Sequence, residues 1–283
     1  MKKLIALLLS ALLVLSAASA LADTVTIALP NDPTNEGRAL LLLQANGVLT
    51  LKEGAGLLAT KSDIESTNGV ELKFYEVEAA LVPEILGDVD YAIINNNYAL
   101  QAGLNPVEDS LLIESADSPY VNVVSVKEGN ENSDAAKALA AALQSQKVVD
   151  FINETYAGAA VATVENPTDG YDADVDYEAL NGVTIEVAAT PVPHVAVLNV
   201  AAEILAAKGI TLVIREVTDY ITPNDFVENG DVFANYFAHQ PYQDDFNSNN
   251  GSHLVTIAGI HVEPMALYGG RQSDLTALGI AAE

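Results

Sequence analysis

A chain that spells the same order of elements twice is confined to few architectures. Thr26-Ile27-Ala28-Leu29-Pro30 reads as an apolar strand. A helix over 34–46, a strand over 70–75 and a helix over 77–86 follow, and Gly87-Asp88-Val89-Asp90 then leads into the strand Tyr91-Ala92-Ile93-Ile94-Asn95. The second copy begins with Thr184-Ile185-Glu186-Val187-Ala188 and continues through a helix over 193–208, a strand over 210–217 and a helix over 221–229. It closes with Gly230-Asp231-Val232 and the strand Phe233-Ala234-Asn235-Tyr236-Phe237. The first copy is longer, and an insertion within 48–66 accounts for the difference. Continuous apolar strands alternating with helices imply α/β lobes, each a mostly parallel sheet flanked by helices, and two copies imply two lobes with a cleft between them.

Both copies place their unusual polar residues directly after a strand, the end at which open α/β sheets bind ligands. In the first copy these are Asn31 to Arg38 and Asn95-Asn96-Asn97-Tyr98; in the second, Thr190 to His194 and Tyr236-Phe237-Ala238-His239. Asp32 and Pro33 read as helix cap and first helical residue. Arg38, one of three arginines in the chain, then stands early in a helix, where a cation is electrostatically disfavoured. A ligand carboxylate held by its guanidinium, with Asn35 on the same helix face, would offset that cost. Ser118 to Val124 and His261 to Tyr268 each join an extended apolar run to a proline, as expected of strands crossing between lobes.

The N-terminus has the three parts of a secretory signal peptide. Lys2-Lys3 precede the apolar stretch from Leu4 to Val14, Ala20-Leu21-Ala22 supplies small residues, and cleavage is expected before Asp23. Export to the periplasm or the extracellular space follows. A formal net charge of −27 rejects nucleic acid and anionic lipid as partners. The absence of cysteine removes thiolate metal sites, thiol catalysis and lipid attachment through a cysteine. Residues 162–182 carry six acids and no base and read as a solvated linker. Asp172, Asp174 and Asp176 resemble the start of a calcium loop but lack its glycine and closing glutamate.

Six stretches then carry a resemblance: NDPTNEGRALLLL (31–43), IINNNYALQAGLN (93–105), DSPYVNV (117–123), TDYITPN (218–224), ANYFAHQPY (234–242) and GIHVEPMALY (259–268). They look like the MetQ/NlpA family of methionine-binding receptors of ABC importers. The resemblance implies a two-lobed periplasmic-binding-protein fold, type II-like, that captures methionine by lobe closure and delivers it to a membrane permease. It also departs from the family in two ways. The family's usual order is exchanged, as in a circular permutant, and Asp23 stands where a lipid-bearing cysteine is typical. The expected product is a soluble monomer that does not insert in the membrane. Its organisation is signal peptide 1–22, first lobe 23–120, a crossover strand and helices 121–161 packing on the second lobe, linker 162–182, second lobe 183–268 and tail 269–283.

Carried over by residue, the resemblance implies that Arg38 and Asn35 hold the ligand carboxylate and that Asn95 and Asn97 accept from its ammonium. Tyr220, Tyr236, Phe237 and His239 line the side-chain pocket, where aromatic rings suit a polarizable thioether. Another apolar amino acid or a short peptide is the alternative ligand. His261 and Glu263 have the spacing of two metal ligands, and a third from His239 or His253 would make a zinc receptor, but four scattered histidines and no cysteine speak against it. His194 is expected to fix its loop. No Gly-x-Ser-x-Gly, His-Glu-x-x-His or phosphate loop is present, so binding without catalysis, metal or cofactor is expected.

Overall fold

The computed structural model describes residues 24–281, so the expected signal peptide lies outside the described residues. The chain enters its first lobe with β1 (Val25–Pro30) and α1 (Pro33–Ala45) and pairs β2 (Thr50–Leu51) with β3 (Ile64–Ser66) in a small separate sheet. It continues with β4 (Leu72–Val77), β5 (Tyr91–Ile94), α2 (Asn96–Gln101) and β6 (Ser110–Ile113). After crossing through 114–120 it builds β7 (Val121–Lys127), α3 (Asp134–Leu143), α4 (Gln146–Tyr156) and β8 (Val161–Ala162) in the second lobe. There follow β9 (Thr184–Ala189), α5 (Ala196–Ala206), β10 (Thr211–Glu216), α6 (Thr222–Asn229), β11 (Ala234–His239), α7 (Gln240–Asn250) and β12 (Leu254–Val262). Residues 263–265 cross back, and β13 (Ala266–Gly269) joins the first lobe.

The strand orders are β4-β1-β5-β13-β6 in the first lobe and β10-β9-β11-β7-β12-β8 in the second. In each sheet three strands are parallel: β4, β1 and β5 in one, β10, β9 and β11 in the other. The next strand is antiparallel and is supplied by a segment arriving from the opposite lobe, β13 on β5 and β7 on β11. The sheets are therefore mixed, with a parallel core, because these arriving strands have no helical crossover to turn them. The second lobe ends at β12, earlier than its expected boundary at 268, and the tail beyond 269 buries Leu278 in the core of the first lobe.

Two expected elements take another form. The helix over 77–86 is replaced by 3-10 turns at Ala79–Leu81 and Pro83–Asp88, since Pro83 has no N–H for a helical bond. The helix expected from 193 opens as a π turn, Pro191–Val195, before α5. Residues 162–182 are no solvated tether. Val175 and Leu180 are buried in the second lobe's core, Tyr171 and Tyr177 meet edge to face at 5.7 Å, and Lys208 lies over both rings at 4.4 and 5.2 Å. The acids of this segment face outward and hid the apolar residues between them. Asp172 and Asp176 accept backbone N–H groups of their own turns, and no metal-ligating group forms there among the described residues. No helix among the described residues is long and apolar enough to cross a membrane.

Helix α1 shows how the insertion serves the site. Asp32 caps it, Pro33 occupies its first position, and Gly47, with φ of +72°, turns the chain beyond its end. A Cβ at Gly37 would overlap the Leu57 carbonyl and stand 3.0 Å from the Ala59 nitrogen, so the insertion lies directly on the helix that carries Arg38. Gly37→Ala would stabilise an isolated helix by about 1 kcal/mol. Here it is expected to destabilise the protein by about 1–3 kcal/mol, measured by chemical denaturation, because the backbone of 57–59 must move.

Candidate functional site

The C-terminal ends of β1, β5, β9 and β11 face one another across the lobes, and the polar residues after them meet in one buried network. Asp32 accepts from the Asn35 backbone N–H at 3.0 Å, and its two oxygens each accept from Asn35 Nδ2 at 2.9 Å. Asn35 Oδ1 then accepts from Asn95 Nδ2 of its own lobe at 2.9 Å and from His239 Nε2 of the second lobe at 3.1 Å. His239 Nδ1 accepts the Tyr242 N–H at 3.1 Å, which leaves the ring proton on Nε2. Burial, with the charge of Arg38 beside it, holds His239 well below the ordinary histidine pKa, so the ring is neutral. The two Asp32 oxygens approach Asn35 Nδ2 from one side and share an amide hydrogen, while Asn35 Oδ1 sets the positions of Asn95 and His239 at the cavity wall.

Arg38 is only 3% exposed. Its Nε and Nη2 donate to the Glu114 carboxylate at 3.1 and 2.5 Å, Nη2 also donates to the Glu263 carbonyl at 2.7 Å, and Cζ lies 4.3 Å from the centre of the Tyr120 ring. Nη1 makes no hydrogen bond among the described residues, and Arg38 borders a cavity between the lobes. Glu114 was not recognisable as a partner, because its place on the crossing segment becomes defined only when the lobes meet.

Asn95, Asn96 and Asn97 end β5 and open α2. Asn95 Oδ1, Asn96 Oδ1 and Asn97 Nδ2 are buried and have no protein partner. Asn97 Oδ1 accepts from the Tyr220 hydroxyl at 2.6 Å, which leaves the Asn97 Nδ2 donor without a partner. Phe237, His239, Tyr220 and Tyr242 complete the wall. The cavity measures about 20 Å³, room for little more than a water, so a larger ligand enters only as the lobes part.

Of the eight residues expected to bind ligand, seven border this cavity and Tyr236 does not. Tyr236 neighbours Phe237 on β11, and adjacent strand residues face opposite sides, so its ring enters the second lobe's core and its hydroxyl donates to His261 Nδ1 at 2.5 Å. The structure adds Asn96, Asn122, Tyr242 and Glu263 to the cavity wall. The motifs NNN and HQPY held the signal for Asn96 and Tyr242, whereas Glu263 was marked only as a metal-ligand candidate beside His261 and Asn122 only as part of a crossing segment.

Glu263 lies between two imidazoles, with Oε1 at 3.1 Å from His194 Nε2 and 2.9 Å from His261 Nε2, and its Oε2 accepts from Asn96 Nδ2 at 3.3 Å. Burial alone would raise its pKa, but His194 and then His261 outweigh burial and hold it below the usual carboxylate range. His194 is anchored through Thr190 Oγ1 at 2.8 Å and Asn122 Oδ1 at 3.0 Å, and so fixes its loop. These three residues are the one group among those described whose ligand atoms could surround a metal ion. The third ligands weighed from the sequence are elsewhere: His239 is turned to Asn35, and His253 is exposed beside Glu228 at 3.5 Å.

Comparison with known proteins follows from this geometry. The profile of the NlpA lipoprotein family matches residues 15–164 and 185–283. A probable D-methionine-binding lipoprotein MetQ of Pasteurella multocida is 44% identical over 144 residues, 50% of this chain and 51% of that protein. Outer membrane lipoprotein 3 of Mannheimia haemolytica is 45% identical over 141 residues, 50% of this chain and 53% of that protein. The chain thus spans about half the length of the curated relatives it matches. A methionine-bound nutrient-binding protein from Burkholderia cenocepacia is 45% identical over 50% of this chain and 61% of its own, with a TM-score of 0.47.

The buried groups make stability depend on pH in one direction. His239 and His261 are both held below the ordinary histidine value of 6.5 by burial, so below that pH the unfolded chain takes up protons that the native state refuses. Glu263, held below the ordinary value of 4.5, contributes stability that is lost as pH falls beneath that value. Unfolding free energy is expected to fall from pH 7 to pH 5 by about 1.4 kcal/mol per unit for each fully refusing histidine. Thermal melts across this range are expected to show a shallower slope in His239→Gln than in the parent protein.

Proposed function

The chain belongs to the NlpA lipoprotein family, and from that membership we propose that it captures methionine between its two lobes and delivers it to the permease of an ABC importer. The observation that carries this reading is the set of unsatisfied atoms at the cavity. Asn95 Oδ1 and Asn96 Oδ1 are acceptors suited to an ammonium, Asn97 Nδ2 is a donor suited to a carboxylate, and the Arg38 guanidinium borders the same cavity. Buried polar groups without partners are uncommon in native proteins, and a free amino acid supplies both kinds at one carbon. Tyr220, Phe237, His239 and Tyr242 offer ring faces and edges to a thioether side chain. The relatives named for D-methionine binding point to the same side chain, with the L isomer as the first to test.

Closure would proceed through contacts that join the lobes beside the cavity: Tyr98 hydroxyl to the Thr218 carbonyl at 2.9 Å, Tyr220 hydroxyl to Asn97, and His239 to Asn35. A ligand touching both lobes favours this arrangement by its differential affinity. Capture and release involve no bond-making on the ligand. The permuted order belongs to the same proposal. Thr24, Val25 and Ala277 border one groove, so the ends of the described chain lie together and could be joined without disturbing the sheet. With Asp23 at the expected cleavage point, the exported protein would act without a lipid anchor.

Titration calorimetry of L-methionine into residues 23–283, unfolded and refolded first to remove co-purified ligand, is expected to give saturable one-to-one binding. Asn97→Asp can still accept from Tyr220 but presents an acceptor where the ligand carboxylate needs a donor. It is expected to weaken binding at least about tenfold, and unchanged affinity would remove Asn97 from the site.

A further inference from the structure

We propose that the ligand's cationic nitrogen, and not its carboxylate, dominates recognition in this cavity, with Glu263 as its charge partner. The inference rests on the reading of the cleft as an amino-acid site and ranks the two ends of the ligand within it. Arg38 looks at first like the anchor for an anion. Its charge, however, is already answered: Nε and Nη2 are bound to the Glu114 carboxylate and Nη2 also to the Glu263 carbonyl, so only Nη1 remains. A carboxylate arriving there meets a neutralised ion pair, and its net Coulombic gain is small.

Glu263 presents the opposite case. It is 5% exposed and borders the cavity, and no lysine or arginine side chain pairs with its carboxylate among the described residues. Both imidazoles are gathered on Oε1, whereas Oε2 accepts a single long bond from Asn96 Nδ2. Asn95 and Asn96 border the same cavity as Glu263, and their Oδ1 atoms are buried without partners. Three acceptors match the three N–H groups of an ammonium, and one of them carries a full charge. His239, the one imidazole on the wall, is neutral and repels no cation. A ligand nitrogen therefore forms a new buried charge pair, while the ligand carboxylate shares an old one. The class admitted is primary α-amines, including carboxyl-blocked amino acids, and the class rejected is des-amino acids of the same side chain.

The test compares three ligands on the refolded wild-type protein by calorimetry: L-methionine, L-methioninamide, which lacks the carboxylate, and 4-(methylthio)butanoate, which lacks the ammonium. The amide is expected within about tenfold of L-methionine, and the butanoate at least about 100-fold weaker, as for loss of one partner of a buried charge pair. Glu263→Gln, checked first for a cooperative melt, is expected to weaken L-methionine and the amide at least about tenfold while leaving the butanoate unchanged or improved. If the variant does not fold, the ligand series on the wild-type protein still decides. A butanoate that binds as well as the amide overturns the ranking alone. Failure of all three compounds to bind overturns the amino-acid reading beneath it.

Discussion

The pair of buried Arg38 and half-buried Glu114 joins the first helix to both segments that cross between the lobes. A guanidinium at 3% exposure would cost several kcal/mol in desolvation without partners. Glu114 comes from the outgoing crossing, the Glu263 carbonyl from the returning one, and the Tyr120 ring covers the face of the cation. The two crossings also bind each other, Glu114 N–H to the Met265 carbonyl at 2.9 Å and Met265 N–H to Glu114 Oε2 at 3.3 Å. Removing Arg38 would therefore loosen the hinge as well as the cavity wall, so a loss of binding in such a variant has two physical sources.

Around this pair the polar groups divide by saturation. Asn35 is bound at both ends of its amide, and its contacts hold Asp32, Asn95 and His239 in one arrangement. Three of the eight unpartnered buried side-chain atoms among the described residues fall on the consecutive Asn95, Asn96 and Asn97. A rigid, satisfied layer thus supports an unsatisfied one, which is the arrangement a binding site needs if its geometry is to precede the ligand. The Glu263 carboxylate belongs to both layers, its Oε1 fixed by His194 and His261 and its Oε2 left toward the cavity.

The pairing of the lobes has the same economy. Each sheet extends its three parallel strands with one that has just arrived from the other lobe, β13 beside β5 and β7 beside β11. Both crossings are consequently short and anchored in a sheet at each end. The links between the lobes are limited to a few residues at 114–120 and 263–265, next to the guanidinium that binds them.

The duplicated strand and helix order, the Asp32-Pro33 helix start, the crossing segments and the polar runs after the strands were all legible in the sequence, because each depends on residues within one or two turns or strand lengths. The same local reading went astray where a residue's role depended on which face it took or what lay opposite. Tyr236 and Phe237 are adjacent in sequence and face different sides of one sheet. The acids of 162–182 concealed Tyr171, Val175 and Leu180, whose burial becomes defined only against the second lobe. The part Asn35 plays in the network was not legible locally, since its partners Asn95 and His239 lie 60 and 204 residues away. The sequence by itself determined the two α/β lobes and the runs that meet at the cleft, through local periodicity and capping. Only the tertiary structure decided which atoms in those runs remain free, because hydrogen-bond saturation is settled by neighbours that the chain brings together from its far ends.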